Sequence, residues 1–182
     1  MPATDLRPSP EAEIIFKKWI AHLNDEFTRH EGYDRRAEIV RDELHQIVLG
    51  RPHGGRLNST LVTELPMNVL IESLDPRNLT FEAELLPEVD AARFYPRKPL
   101  IFFWEAFDRS PLGLNHWLGK RFRCMLARHI FASAGKGLEL CSGIRMTFGY
   151  NITAEENTLI RRGVVLDDRQ PITLRGEIAA RQ

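Results

Sequence analysis

Little in this chain points directly to chemistry, and each absence narrows the field. Only two cysteines occur, Cys124 and Cys141. They fit no metal-binding spacing and are too few for a disulfide framework. Cys124 falls in an apolar helical pattern, where a small buried thiol is expected. No stretch approaches the roughly 18 consecutive apolar residues of a membrane-spanning helix. The greasiest segment, PLIFFWEAF, is far shorter. The opening MPATDLRPSP lacks the charged start and apolar run of a signal peptide, so a cytoplasmic location and no membrane partner are expected. Charge of one sign is also missing, since 25 Lys and Arg balance 25 Asp and Glu. That balance argues against a nucleic-acid backbone as partner.

What is present suffices for a core: 43% of residues are hydrophobic and 27% charged, the proportions of an ordinary globular chain. Three regions are expected: a mobile tail over 1–8, a helical region over 9–136, and a β region over 137–182. Ser9 reads as an N-cap with Pro10 at the first helical position and Glu11 and Glu13 in the first turn. Phe16, Ile20, Leu23 and Phe27 recur at helical spacing to about Arg29. A second helix is expected from Asp34 to Leu49, stopped by Gly50. RPHGGRLNST reads as loop, LPMNVLIESL as a short helix and PLIFFWEAFD as a compact one, while LTFEAELL suits strand or helix. The longest helix is expected to be capped by Ser110, opened by Pro111 and ended by Gly135. Its apolar stripe would be Leu114, Trp117, Leu118, Phe122, Met125, Leu126 and Ile130.

Beyond that point the apolar residues recur every six positions: Phe148, Ala154, Ile160, Leu166, Ile172 and Ile178. A strand gives a period of two and a helix 3.6. A period of six requires a chain that turns a corner after each short strand and brings the same column back inward, as in hexapeptide-repeat β-helices. A second column two residues earlier, Met146, Ile152, Thr158, Val164, Gln170 and Gly176, starts apolar and then degrades. The period alone leaves two readings open: a three-sided coil, or a plain meander of short strands. Asn157 suits a corner in the left-handed conformation. Asp167 and Asp168 suit either a corner turn or a ligand contact. Arg161 and Arg162 suit either a solvated face or an anionic substrate.

FGYNITAEEN, followed by VVLDDR, resembles the start of the β-helix in hexapeptide-repeat acyltransferases, and is similar to the maltose and galactoside O-acetyltransferases. Gly149, Tyr150, Asn151, Ile152, Asn157, Asp167 and Asp168 carry the likeness. AFDRSPLGLNHWLGKRFRCMLARHIF is similar to the helical preface of a bacterial branch of that superfamily. The likeness covers Phe107 to Thr173; the first hundred residues carry no usable motif.

The resemblance implies an α+β chain in which a mostly helical region precedes the first coils of a left-handed parallel β-helix. It implies acetyl-CoA as co-substrate, a small hydroxylated or amino acceptor, and a homotrimer with sites between neighbouring subunits. Thr147 and Asp168 would bind the acceptor, Thr147 as a hydroxyl residue ahead of the Gly-Tyr-Asn phrase and Asp168 as the acid on sugar hydroxyls. Two departures stand out. The asparagine expected near Arg161 is replaced by RRG, and the family's catalytic histidine phrase does not occur. The histidines are His22, His30, His45, His53, His116 and His129, none in the family's context. The expectation is therefore an acyltransferase truncated at its C-terminus, with no catalytic, metal or acetyl-CoA-binding residue assigned. The other expectation is a non-catalytic module or fragment that completes another subunit's β-helix.

Overall fold

The computed structural model describes residues 7–54 and 65–180. Most of the tail before Ser9 and the larger part of the RPHGGRLNST loop lie outside the described residues. Helix α1 runs Pro10–Arg29, with Ser9 Oγ accepting the Ala12 N–H at 3.3 Å. It buries Leu23 and Phe27. Helix α2, Tyr33–Leu49, stops at Gly50, whose φ of 65° is left-handed. Helix α3 spans Leu65–Ser73 and α4 spans Ala91–Phe94. Between them LTFEAELL is neither strand nor α-helix, holding instead a short 3-10 turn at Glu82–Leu85. Helix α5, Lys98–Arg109, is the apolar PLIFFWEAF segment, and α6 spans His116–Ile130.

The long helix expected from Ser110 to Gly135 is divided and shorter. Ser110 caps a 3-10 turn, Pro111–Leu114, and Asn115 then caps α6 by accepting the Leu118 N–H at 3.0 Å. The break turns Leu114 out of the apolar stripe and leaves it 86% exposed. Helix α6 ends at Phe131, so Gly135 is no cap. A Cβ on Gly135 would lie 2.5 Å from the Glu155 backbone, so glycine serves close approach of the next strand. Trp19, Phe103, Phe107 and Phe122 bind α1, α5 and α6 together, with Phe107 and Phe122 stacked at 4.0 Å.

Eight short strands follow: β1 Ser133–Ala134, β2 Glu139–Leu140, β3 Arg145–Met146, β4 Ile152–Ala154, β5 Leu159–Ile160, β6 Val165–Leu166, β7 Ile172–Leu174 and β8 Glu177–Ile178. The first therefore lies ahead of residue 137. They form three parallel sheets ordered β1-β4-β7, β2-β5-β8 and β3-β6. The chain thus visits three sheets in rotation and returns. Ala154, Ile160 and Leu166 are buried, as the six-residue period requires. Ile152, Thr158 and Val164 of the second column are buried too, and the Thr158 hydroxyl donates to the carbonyl of Glu155 at 2.8 Å.

The phase of the column differs from expectation at two places. Ala154 pairs with Leu174, while Ile172 pairs with Ile152. Met146, the register partner of Leu166, takes the place expected for Phe148. The reason is that the corners after β3 and after β6 are each longer than a six-residue step allows. Asn157 does adopt the left-handed conformation, at φ 57°.

The longer corner after β3 carries Gly149 at φ 78°, where a Cβ would lie 2.3 Å from Cγ2 of Ile130. An alanine there meets both a disfavoured backbone and a packed neighbour, so Gly149→Ala is expected to cost about 2–5 kcal/mol. Urea unfolding measures this; a loss below about 1 kcal/mol would show that the corner relaxes freely. Among the described residues no helix is long and apolar enough to cross a membrane.

Candidate functional site

The two long corners create the site. In the first, Phe148 and Tyr150 stack at 5.1 Å, Phe148 meets the edge of Phe94, and Tyr150 Oη accepts the Asp90 N–H at 2.8 Å. The Arg93 guanidinium lies over the Tyr150 ring at 4.3 Å and also donates to the Tyr150 carbonyl. These contacts fasten the coil to α4. The second corner is tied to the first by Asp168. One of its carboxylate oxygens accepts the N–H groups of Thr147 at 2.9 Å and Phe148 at 2.8 Å; the other accepts Asn151 N–H at 3.4 Å. Asn151 Nδ2 returns a bond to the Asp168 carbonyl.

Thr147 and Asp168 are therefore brought together, but through the Thr147 backbone. Asp168 is fully buried. Burial pushes its carboxyl up, while the N–H groups of Phe148, Asn151, Thr147 and Gly149 pull the other way. Its acidic neighbour faces outward: Asp167 is exposed and pairs with Arg169 at 2.7 Å, which holds its carboxyl below the usual range. Of the DD pair, one residue is a fastener and the other is at the surface.

Beside these corners lies a cavity of about 590 Å³, within the range of small-molecule sites. Its floor is apolar, from Phe94 and Ile101 on the helical side and Met146 on the coil. Thr147, Asp167 and Arg169 edge it, and the Phe81–Leu86 segment forms the opposite wall. Thr147 thus lines the cavity, and Asp168 does not. A recess of about 180 Å³ adjoins it through the shared residues Glu105 and Arg145. This arrangement can hold an elongated ligand with an apolar body and polar ends.

No histidine lines either space. His129 is held by Asn24 at 3.1 Å, and burial, with Arg36 and Arg128 nearby, lowers its pKa to about 4. The ring of buried His45 stands 4.6 Å from that of His53, while His22 and His116 are exposed. Burial raises the Cys124 thiol, which donates to the Leu138 carbonyl, an environment that disfavours the thiolate. Among the described residues no group of three or more His, Cys, Asp and Glu could hold a metal ion.

Sequence reasoning missed Glu105, Arg145 and the Phe81–Leu86 wall, because tertiary packing alone assembles them. It also missed the buried ion pair behind the recess. Arg123 is 1% exposed and its Nε donates to Asp108 Oδ1 at 2.7 Å. Its signal was available: an arginine between Phe122 and Met125, within an apolar helix face, requires an acidic partner. No protein-family model matches the chain, and neither a curated protein nor a solved structure shows significant similarity to it.

Proposed function

We propose that the three-sheet coil is the beginning of a left-handed hexapeptide β-helix, and that the chain is an acyltransferase by descent. The observation that carries this reading is the strand rotation itself: three parallel sheets visited in turn, with Ala154, Ile160 and Leu166 filling the interior. The Gly149–Ile152 and Asp167–Asp168 phrases that resemble the sugar O-acetyltransferases form the two long corners. In that chemistry an acetyl group leaves the sulfur of acetyl-CoA for an acceptor hydroxyl or amine. The C–S bond breaks, a C–O or C–N bond forms, and the acceptor proton passes through a base to the departing thiolate.

The cavity beside Thr147 is the acceptor side of this scheme. Acetyl-CoA enters as acyl donor through the resemblance alone, and no described residue is assigned to it. The described histidines stand away from the cavity, so no histidine base is assigned there. A homotrimer with sites between neighbouring coils is the assembly this reading implies.

Purified chain, incubated with acetyl-CoA and a panel of hydroxylated and amino acceptors, is expected to release free thiol no faster than acetyl-CoA alone. Robust turnover that is lost on His116→Ala or His129→Ala would overturn the reading that this chain lacks its catalytic histidine.

A second reading rests on the sheet edges. Among the described residues β6, β7 and β8 are each the last strand of their sheet, and an outer strand of this kind can take an added strand. In this reading the chain is a non-catalytic module that completes another subunit's coil. A native mass that remains monomeric in isolation and rises only with a partner would favour it over the trimer.

A further inference from the structure

The recess beside the main cavity holds two arginines without a counter-charge among the described residues. Most described arginines have an ionic or hydrogen-bond partner; Arg161 pairs with Glu177 at 2.7 Å and Arg169 with Asp167. Arg145 and Arg162 have no such partner among the described residues, both are exposed, and both line this recess. Arg145 is in register with Val165, so the neighbouring rung sets no carboxylate beside it. Arg162 lies at the corner where the Gly163 N–H donates to the Ser142 carbonyl. Ser142 lines the same recess, its hydroxyl without a partner among the described residues.

The acids present are already engaged. Asp108 accepts from buried Arg123 and from the Gly143 N–H at 2.8 Å. Glu105 pairs with Arg109, also at the recess wall, at 2.8 Å. Arg145, Arg162 and Ser142 thus line one small space, which shares Glu105 and Arg145 with the larger, apolar-floored cavity. Separate guanidinium groups suit an oxyanion with several oxygens, which each can engage.

The geometry points to a binding site for an amphiphile with a phosphoryl head, the head held by Arg145, Arg162 and Ser142 and the apolar body along Ile101 and Met146. This names the class of molecule that occupies the acceptor side and rests on that reading only for its role. It is read from binding, so it fails or stands separately from turnover.

Calorimetry at low ionic strength, where surface charge is least screened, tests it with hexyl phosphate, inorganic phosphate, heptanoate and hexanol. Hexyl phosphate is expected to bind saturably, with inorganic phosphate at least about tenfold weaker. Arg145→Gln with Arg162→Gln is expected to weaken hexyl phosphate at least about tenfold. Arg161→Gln, which removes the paired neighbour, is expected to change it less than about twofold. Circular dichroism confirms that the variants, all at exposed positions, remain folded. Absence of saturable hexyl phosphate binding, or an unchanged affinity in the double variant, would overturn the site. Heptanoate or hexanol binding as tightly would overturn the phosphoryl head, and equal affinity for inorganic phosphate would overturn the apolar body.

Discussion

Asp108→Ala is expected to destabilise the protein by about 3–5 kcal/mol, because it leaves the buried Arg123 guanidinium without its counter-charge. Arg123 is 1% exposed, so the carboxylate and not water supplies its counter-charge in the intact fold. Asp108 also accepts the Gly143 N–H, so the first coil loses an attachment to α5 in the same step. The cost comes from an uncompensated charge and not from the net worth of the pair. Replacing both partners with apolar residues, Asp108→Leu with Arg123→Met, is therefore expected to recover much of the loss. A double-mutant cycle by urea unfolding separates the two contributions. A loss below about 1 kcal/mol for Asp108→Ala would mean that Arg123 reaches solvent when its partner is gone.

Asp168→Ala is expected to cost a similar amount, about 3–5 kcal/mol, since Thr147, Phe148 and Asn151 would lose the acceptor for their N–H groups. Asp168→Asn keeps one oxygen for the two shorter bonds and sets an amide against the weak third, so a smaller loss is expected. Asp167→Ala, at the exposed member of the pair, is expected to stay within about 0.5 kcal/mol. If Asp168 worked on a ligand instead, its alanine variant would keep its unfolding midpoint and lose only binding. Unfolding curves of the three variants decide between these outcomes.

The contrast within the DD pair shows where the sequence was readable. Ser9, Gly50 and Asn157 were legible because a cap or a left-handed corner depends on a few adjacent residues. The coil was legible from its period, which belongs to the same backbone that forms it. Its phase was not, because the two longer corners shift the column after Met146 and after Leu166, and Phe148 happened to lie six before Ala154. Which aspartate turns inward depends on what crosses the corner, and that is the Thr147–Asn151 segment one rung away. Asn115 was overlooked because Ser110-Pro111 is itself a good helix start; it opens a 3-10 turn, and the second cap begins the helix. The cavity was illegible for a plainer reason. Its walls come from Phe81–Leu86, α5 and the β3–β6 rung, and only packing brings such distant stretches together.

The fastening of α4 and α6 to the first coil has a consequence for polarity. Repeat arrays need something to close their apolar ends. Ile130 against Gly149, Tyr150 against Asp90 and the Cys124 thiol against Leu138 all set helices over the β1–β3 side of the coil. That side is stoppered, while β6, β7 and β8 remain the last strands of their sheets. Among the described residues the coil is consequently covered by helices on one side and uncovered along β6, β7 and β8, so a strand stacked upon it would be added on that second side.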